Sequence, residues 1–355
     1  MDAGELRRIA RTISAVENRI DGYENTLRDA YRLQHWADVI GITGPPGAGK
    51  STLVDGLIAH WATADDRIAI VAIDPSSPYS GGAVLGDRIR RTRSVGHDNT
   101  YFRSLSSRGH VGGLNEVATD LVAVLSLFEF RKVIIETVGA GQSDVEIHNT
   151  ADCTVVVMTP GLGDGVQASK AGLMEIGDVF LVNKADLPGA DDAVCMIESA
   201  LAAAYVGKPG TNIRDDKTTA LPAIYPPTPG MKALRQRHGD VAQDDSTWVP
   251  PILKVVATEN NGVSEAAQTI DAFLHWSARA DRRRQRRRER AYAQVLHALS
   301  VLLLAPYARE PESGRLPDAI TPWVERIADG GASPLEAAHA LLRGRRRQSA
   351  RRSPR

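Results

Sequence analysis

Nine residues near the amino terminus, Gly44-Pro-Pro-Gly-Ala-Gly-Lys-Ser-Thr52, carry the spacing G-x-x-x-x-G-K-[ST]. They follow the apolar run "DVIGIT" and precede "STLVDGLIAHW", whose apolar residues repeat with a helical period. In that setting the motif is a phosphate cradle. Glycines at 44, 47 and 49 let backbone N–H groups turn inward around the phosphates, with Ala48 and Thr52 completing the loop and the helix start. Lys50 can reach the β and γ oxygens, and Ser51 supplies a hydroxyl for Mg²⁺. Two acids stand at the ends of later apolar runs: Asp74 in "VAIDPSS", expected beside the tip of the first strand, and Glu136 in "IIETVGAGQSD", three residues before Gly139. An acid in the crevice at the carboxyl ends of a parallel sheet faces the metal, whereas an isolated one is an ordinary helix cap.

The base is read by "NKAD". Asn183, Lys184 and Asp186 follow the run "VFLV", and a carboxylate there accepts two hydrogen bonds from guanine N1–H and the 2-amino group, which adenine lacks. The expected nucleotide is therefore GTP. Ala257 and Thr258, in "VVATENNG", are placed to offer a backbone N–H to guanine O6.

These residues need a scaffold that brings several strand ends together. From residue 38 to 277, six short apolar runs, "DVIGITG", "RIAIVAID", "KVIIET", "CTVVVMT", "DVFLVNK" and "PILKVVAT", alternate with helical periodicity. That alternation predicts a doubly wound α/β fold with a mostly parallel sheet, the P-loop NTPase arrangement. Residues 1–37 predict an amphipathic helical extension, interrupted near Gly22. Within the core, 207–245 is a proline-rich insertion expected at the surface. Residues 278–343 predict a helical arm, a possible dimer contact, and 344–355 a disordered basic tail.

Composition narrows the partners. The 355 residues hold 43 Lys+Arg and 43 Asp+Glu, so no excess charge calls for an acidic polymer. The run 282–290 contains seven arginines, with no aromatic residue among them; it is expected to be a solvated helix face or linker, and no nucleic acid is expected. Cys153 and Cys195 lack metal-ligand spacing and are expected as core thiols in a reducing compartment. His97 and His110 have no third ligand at metal spacing. Arg103 and Arg108 are either transition-state cations or partners of surface acids such as Glu116, with the second reading favoured. No apolar run spans a membrane and no signal-peptide pattern opens the chain, so a cytoplasmic location is expected.

The segments "VENR", "GPPGAGKST", "DPSSPYSGGAVLGDRIR", "RSLSSRGHVGGL", "ETVGAGQSD" and "PGLGDGVQASKAGLMEIGDVFLVNKAD" together resemble the methylmalonyl-CoA mutase-associated GTPases, the MeaB/ArgK family, over residues 5 to 300. The resemblance implies a GTPase that works as a homodimer and converts GTP to GDP with Mg²⁺. It further implies a client, an adenosylcobalamin-dependent acyl-CoA mutase such as methylmalonyl-CoA mutase, whose cofactor loading the GTPase gates and which it protects or reactivates. It adds Asp87 to Ser51, Asp74 and Glu136 as the magnesium shell, and marks Gln142 and the loop 161–171, with Lys170, as segments that signal to the client. The longer insertion puts the identity of the mutase in question. With no Gln directly after Gly139, slow intrinsic hydrolysis is expected, accelerated when a partner orders the switch loops. A kinase or a transport-associated ATPase using the same loop is the alternative; it lacks support from an acceptor domain or a membrane anchor, and preference for ATP over GTP would favour it.

Overall fold

The computed structural model describes residues 1–33, 35–62, 66–74, 99–106, 113–137, 147–161, 167–206, 248–304, 307, 316–329 and 331–342. The chain divides into two compact units, Met1–Arg290 and Ala291–Arg355.

The first unit opens with α1 (Ala3–Glu17), capped by the Asp2 side chain, which accepts a hydrogen bond from Glu5 N at 2.7 Å. Ile9, Ile13 and Val16 form its buried stripe. Gly22 then takes a left-handed turn into α2 (Tyr23–Tyr31), the interruption expected there. Strand and helix next alternate: β1 (Asp38–Thr43), α3 (Lys50–Trp61), β2 (Ile68–Asp74), β3 (Thr100–Ser106), α4 (Gly113–Leu127), β4 (Lys132–Thr137), β5 (Cys153–Met158), α5 (Gln167–Ile176), β6 (Val179–Asn183), α6 (Ala190–Val206), β7 (Ile252–Val255) and α7 (Val263–Ala278).

The seven strands form one sheet, ordered β3-β2-β4-β1-β5-β6-β7, with every pairing parallel. Both faces are covered, which is why the strands read as near-continuous apolar runs. Ile40, Ile42, Val155 and Val157 point to the side of α3 and α7, packing with Leu53, Leu57, Ile270 and Phe273. Val39, Val133 and Ile135 point the other way, onto Ile9, Ile13, Leu121 and Val124 of α1 and α4. Val156, Met158, Phe180 and Val182 meet Leu173, Ile197 and Leu201 of α5 and α6. The period of two along each strand divides the core between these faces.

Three expectations change. Asp74 ends β2, but β2 is not beside β1: β4 lies between them, so Glu136 rather than Asp74 occupies the strand next to the P-loop. Cys153 is a core thiol whose pKa burial pushes up, whereas Cys195 is exposed on α6 and is not core. The arginine run is not a solvated face. It begins α8 (Arg282–Leu304), and Arg283, Arg286, Arg287 and Arg290, spaced 3, 1 and 3, turn one stripe to the amino ends of the strands. Arg283 bonds Asp38 at 2.7 Å, and Arg286 takes Asp178 with both terminal nitrogens, at 3.1 and 2.9 Å. Arg287 and Arg290 share Asp152, at 2.7 and 3.3 Å. Arg290 also donates to the carbonyls of Thr150 and Ala151. Arg284 and Arg288, on the opposite face of the helix, are exposed.

The second unit contains the rest of α8 and α9 (Thr321–Ala328), followed by helical residues 334–342. Val295, Leu296, Leu299, Leu302 and Leu303 of α8 are exposed, between 46% and 66%. The insertion 207–245 and the tail 344–355 lie outside the described residues.

Candidate functional site

The carboxyl end of β1 runs straight into the phosphate loop. Gly44 adopts φ 142°, and a Cβ there would collide with the Val157 carbonyl on β5, so only glycine lets the chain turn against the neighbouring strand. Gly49, at φ 84°, is the left-handed residue from which α3 starts, and a Cβ would strike the Asn183 side chain. Lys50 is buried; its ammonium donates to the carbonyls of Gly44 at 2.6 Å and Pro45 at 3.1 Å, which holds the side chain back over the loop. The first turn of α3 aims its backbone N–H groups and its positive dipole end at the same loop.

Ser51, one residue into α3, donates from Oγ to Glu136 Oε1 at 2.5 Å. Glu136 is 4% exposed and sits on β4 directly opposite Ile42 of β1. A hydroxyl and a carboxylate brought together next to a phosphate loop are the hard oxygen donors that Mg²⁺ takes, so the residues fit that ion. Among the described residues there is no cluster of three or more His, Cys, Asp or Glu at metal spacing. Asp74 is described at its strand position alone, and Asp87 lies outside the described residues, as do Gly139, Gln142, Arg108, His97 and His110. Lys170 falls within α5, its side chain outside the description.

The second half of the site hangs from β6. Asn183 is 2% exposed and bridges two loops: its Nδ2 donates to the Ala48 carbonyl at 2.8 Å, and its Oδ1 accepts from Ala257 N at 3.0 Å. One side chain thus ties the phosphate loop, the end of β6 and the turn after β7 into one unit. Lys184 follows in the left-handed region, φ 59°, and a tight turn closes from Leu187 N to Lys184 O at 3.0 Å. That turn presents Lys184 and Asp186 to solvent. Ala185 N donates to Val255 O, fastening it to β7. Past β7, Val256 and Asn261 exchange backbone hydrogen bonds around a short turn at Ala257–Glu259.

Sequence reasoning placed Asn183 at the base-reading turn, but the bridge to Ala48 and Ala257 was not legible, because it depends on β5 and β7 flanking β1 and β6 in space. Because the Ala257 N–H is taken by Asn183, the next donor of the turn is Thr258, whose residue is exposed. Arg103 is not near the phosphate loop's strand: it lies on edge strand β3 and pairs with an acid, Glu17 of α1, with Ser14 beside it, while the side chain of Glu116 lies outside the description.

Comparison with known proteins places this geometry. A relative in Pyrococcus abyssi, named as a GTPase, is 35% identical over 97% of this chain and 94% of its own. A fused isobutyryl-CoA mutase of Cupriavidus metallidurans is 38% identical over 54% of this chain, a match that takes up 18% of that larger protein. A crystal structure titled as an LAO/AO transport system kinase shares the fold, with a TM-score of 0.58 at 20% identity over 97% of both chains. The family described as methylmalonyl-CoA mutase-associated GTPase MeaB matches residues 9–309, and the chain belongs to that family of P-loop GTPases.

Proposed function

We propose that this GTPase serves an adenosylcobalamin-dependent acyl-CoA mutase, gating its cofactor loading and protecting or reactivating it through the GTP cycle. The observation that carries the GTP part is the Ala48–Asn183–Ala257 bridge, which joins the loop that holds phosphates to the two turns that meet a guanine. The mutase part is supported by the family's description and by the relative in which a similar segment is fused to an isobutyryl-CoA mutase.

In this reading Gly44, Gly47, Ala48, Gly49 and Thr52 wrap the phosphates and Lys50 neutralises the β and γ oxygens. Asp186 accepts from the guanine edge, Lys184 lies along the base, and Thr258 N–H meets O6 while Ala257 N–H holds Asn183 in place. Ser51 and Glu136 hold Mg²⁺, with Asp74 and Asp87 as further acids; the ion supplies charge neutralisation to the triphosphate. Hydrolysis is in-line attack of water on the γ-phosphate, and the protein contributes position and charge with no covalent intermediate. Gly139, Gln142 and the loop 161–171 with Lys170 then report the nucleotide state to the client. The protein works in the cytoplasm; among the described residues no helix is long and apolar enough to cross a membrane.

The test is release of inorganic phosphate from GTP, with ATP as control, by the protein alone and with a cobalamin-dependent acyl-CoA mutase from the same cell. Slow release from GTP alone, accelerated by the mutase and absent with ATP, is expected. GTP turnover indifferent to the mutase would remove the client assignment while leaving the GTPase intact.

The protein also acts as a homodimer in this reading, through the exposed stripe of α8. Five large apolar residues at spacings of 1, 3, 3 and 1 make a seam of the kind that helices bury against one another. Light scattering is expected to return twice the 38.3 kDa chain mass, and Leu299→Glu with Leu303→Glu to halve it. An unchanged mass in that variant would exclude this stripe as the contact.

A further inference from the structure

We infer that Gly56, in the second turn of α3, is a positioning residue for the guanine: by carrying no side chain it lets the turn after β7 sit close against the phosphate-binding helix. It thereby fixes how far Thr258 N–H stands from the phosphate loop, and the inference rests on the reading of that N–H as the donor to O6. α3 starts beside the phosphate loop at Lys50 and runs to Trp61, so Gly56 is a mid-helix position. After proline, glycine is the poorest helix former, and alanine would serve the helix better if there were room for it. There is none. A Cβ at 56 would stand 3.0 Å from Val263 Cγ1, 3.1 Å from Asn260 Oδ1 and 3.6 Å from Val263 Cγ2.

Both neighbours belong to the base-reading turn or its continuation. Asn260 stands in the turn at φ 57°, its N–H on the Ala257 carbonyl at 3.4 Å, and Val256 and Asn261 exchange backbone bonds at 2.9 and 3.2 Å. Val263 begins α7, is 0% exposed, and packs in the core layer with Leu53, Leu57 and Ile270. The residue before it, Gly262, is itself hard against β7, where a Cβ would meet the Lys254 carbonyl at 2.6 Å. Val263 therefore has no room to absorb a methyl group from α3, and a core packed as densely as an organic crystal hands such a displacement on to whatever can move. What can move is Thr258–Asn261, all exposed. Asn183 holds the N–H of Ala257 from the other side, so the shift falls on the next donor, Thr258. A hydrogen bond to O6 depends on distance and angle and is what such a shift weakens. Lys50 stays on the carbonyls of Gly44 and Pro45, at the far end of the loop from this contact.

Affinities for GTP, ITP and inorganic tripolyphosphate are measured in Mg²⁺ for the full chain carrying Gly56→Ala, Val263→Ala, the two together, or Asp186→Asn. Inosine keeps the O6 and N1–H of guanine but lacks the 2-amino group. GTP against ITP thus reports on Asp186, and both against tripolyphosphate report on the O6 donor. Gly56→Ala is expected to weaken GTP and ITP alike by about tenfold, the worth of one net hydrogen bond, with tripolyphosphate within about twofold of wild type. Melting is expected to stay near wild type, because the helix gains from alanine what the contact loses. Val263→Ala in the same chain removes both Cγ atoms that the new methyl meets and is expected to recover most of the lost affinity, although by itself it lowers the melting temperature. Asp186→Asn is expected to weaken GTP more than ITP. If it weakens neither, the base-reading turn is misassigned and the inference falls with it. If it behaves as expected while Gly56→Ala binds GTP as wild type does, the Gly56 assignment alone falls. A Gly56→Ala variant that loses tripolyphosphate as fully as GTP, or a double variant that stays as weak as the single one, also overturns the inference.

Discussion

Replacing Asp186 with Asn is expected to reduce GTP affinity by about a hundredfold or more and to create affinity for xanthosine triphosphate, with little change in melting temperature. The side chain is exposed on the turn that Leu187 N and Lys184 O close, so its loss leaves no hole and no buried group unpaired. The effect is confined to the base. A carboxylate only accepts, and guanine presents two donors, N1–H and the 2-amino group, so two charge-assisted hydrogen bonds worth about 1.5–3 kcal/mol each are at stake. Asn sets an amide N–H₂ against the guanine amino group, donor against donor. Xanthine carries a carbonyl at that position and keeps N1–H, so the amide meets it as donor and acceptor. Competition binding with GTP, XTP and ATP checks this, and a variant that still prefers GTP would mean that Asp186 does not read the base. Because Asn183 ties the turn to Ala48, phosphate binding is expected to survive, leaving XTP bound in the same loop.

The site was legible where chemistry is carried by local spacing. Lys50 and Ser51 are fixed by a motif whose helix and strand are themselves local, and the turn that carries Lys184 and Asp186 begins directly after the end of β6. What the sequence hid is set by the order of strands. Asp74 was expected beside the phosphate loop because β2 follows β1 in the chain, yet the sheet inserts β4 between them and so gives that place to Glu136. The bridging role of Asn183 depends on the same order, since it joins residues far apart in the chain. The fold class, by contrast, was readable from six of the seven strands, because a parallel sheet buried on both faces writes apolar runs into the sequence; edge strand β3, "TYFRSLS", has no such run and was not among those expected. The arginine run is the instructive failure. Seven arginines in nine positions invite a reading by composition, but the positions 283, 286, 287 and 290 follow a helical period, and three acids, Asp38, Asp152 and Asp178, each stand at or just before the start of an apolar run. Acids at strand starts and arginines at helical spacing were both on view; nothing short of the three-dimensional arrangement joined them.

That arrangement makes Asp152 the residue whose loss should cost the most stability. Its side chain is 0% exposed, and it accepts from Val39 N at 3.3 Å and from both Arg287 and Arg290, so it fastens β5 to β1 and α8 to both. Asp152→Asn keeps the shape but removes the charge, leaving two arginines that are 29% and 12% exposed without their counter-ion. Breaking a buried pair on one side costs about 3–5 kcal/mol, and the partial exposure of Arg287 argues for the lower end. A loss of about 3 kcal/mol corresponds to roughly 6–12 °C of melting temperature for a domain of this size. The pH dependence has a definite sign. Burial by itself raises the Asp152 pKa, but the hydrogen bond from Arg287 and the charges of Arg287, Arg290 and Arg283 outweigh it, and the net shift is downward. A carboxyl whose folded pKa lies below its unfolded value of about 3.9 stabilises fully above that value, and the contribution drains away as pH falls through the folded pKa. The gap in melting temperature between wild type and Asp152→Asn is therefore expected to be wide at pH 7 and to narrow below about pH 4. Equal melting of the two proteins at pH 7 would show that the arginine stripe is ornament rather than fastening. Since Asp152 lies at the amino ends of the strands and the phosphate loop at their carboxyl ends, GTP affinity measured well below the melting temperature should be unaffected, which separates the loss of the clamp from damage to the site.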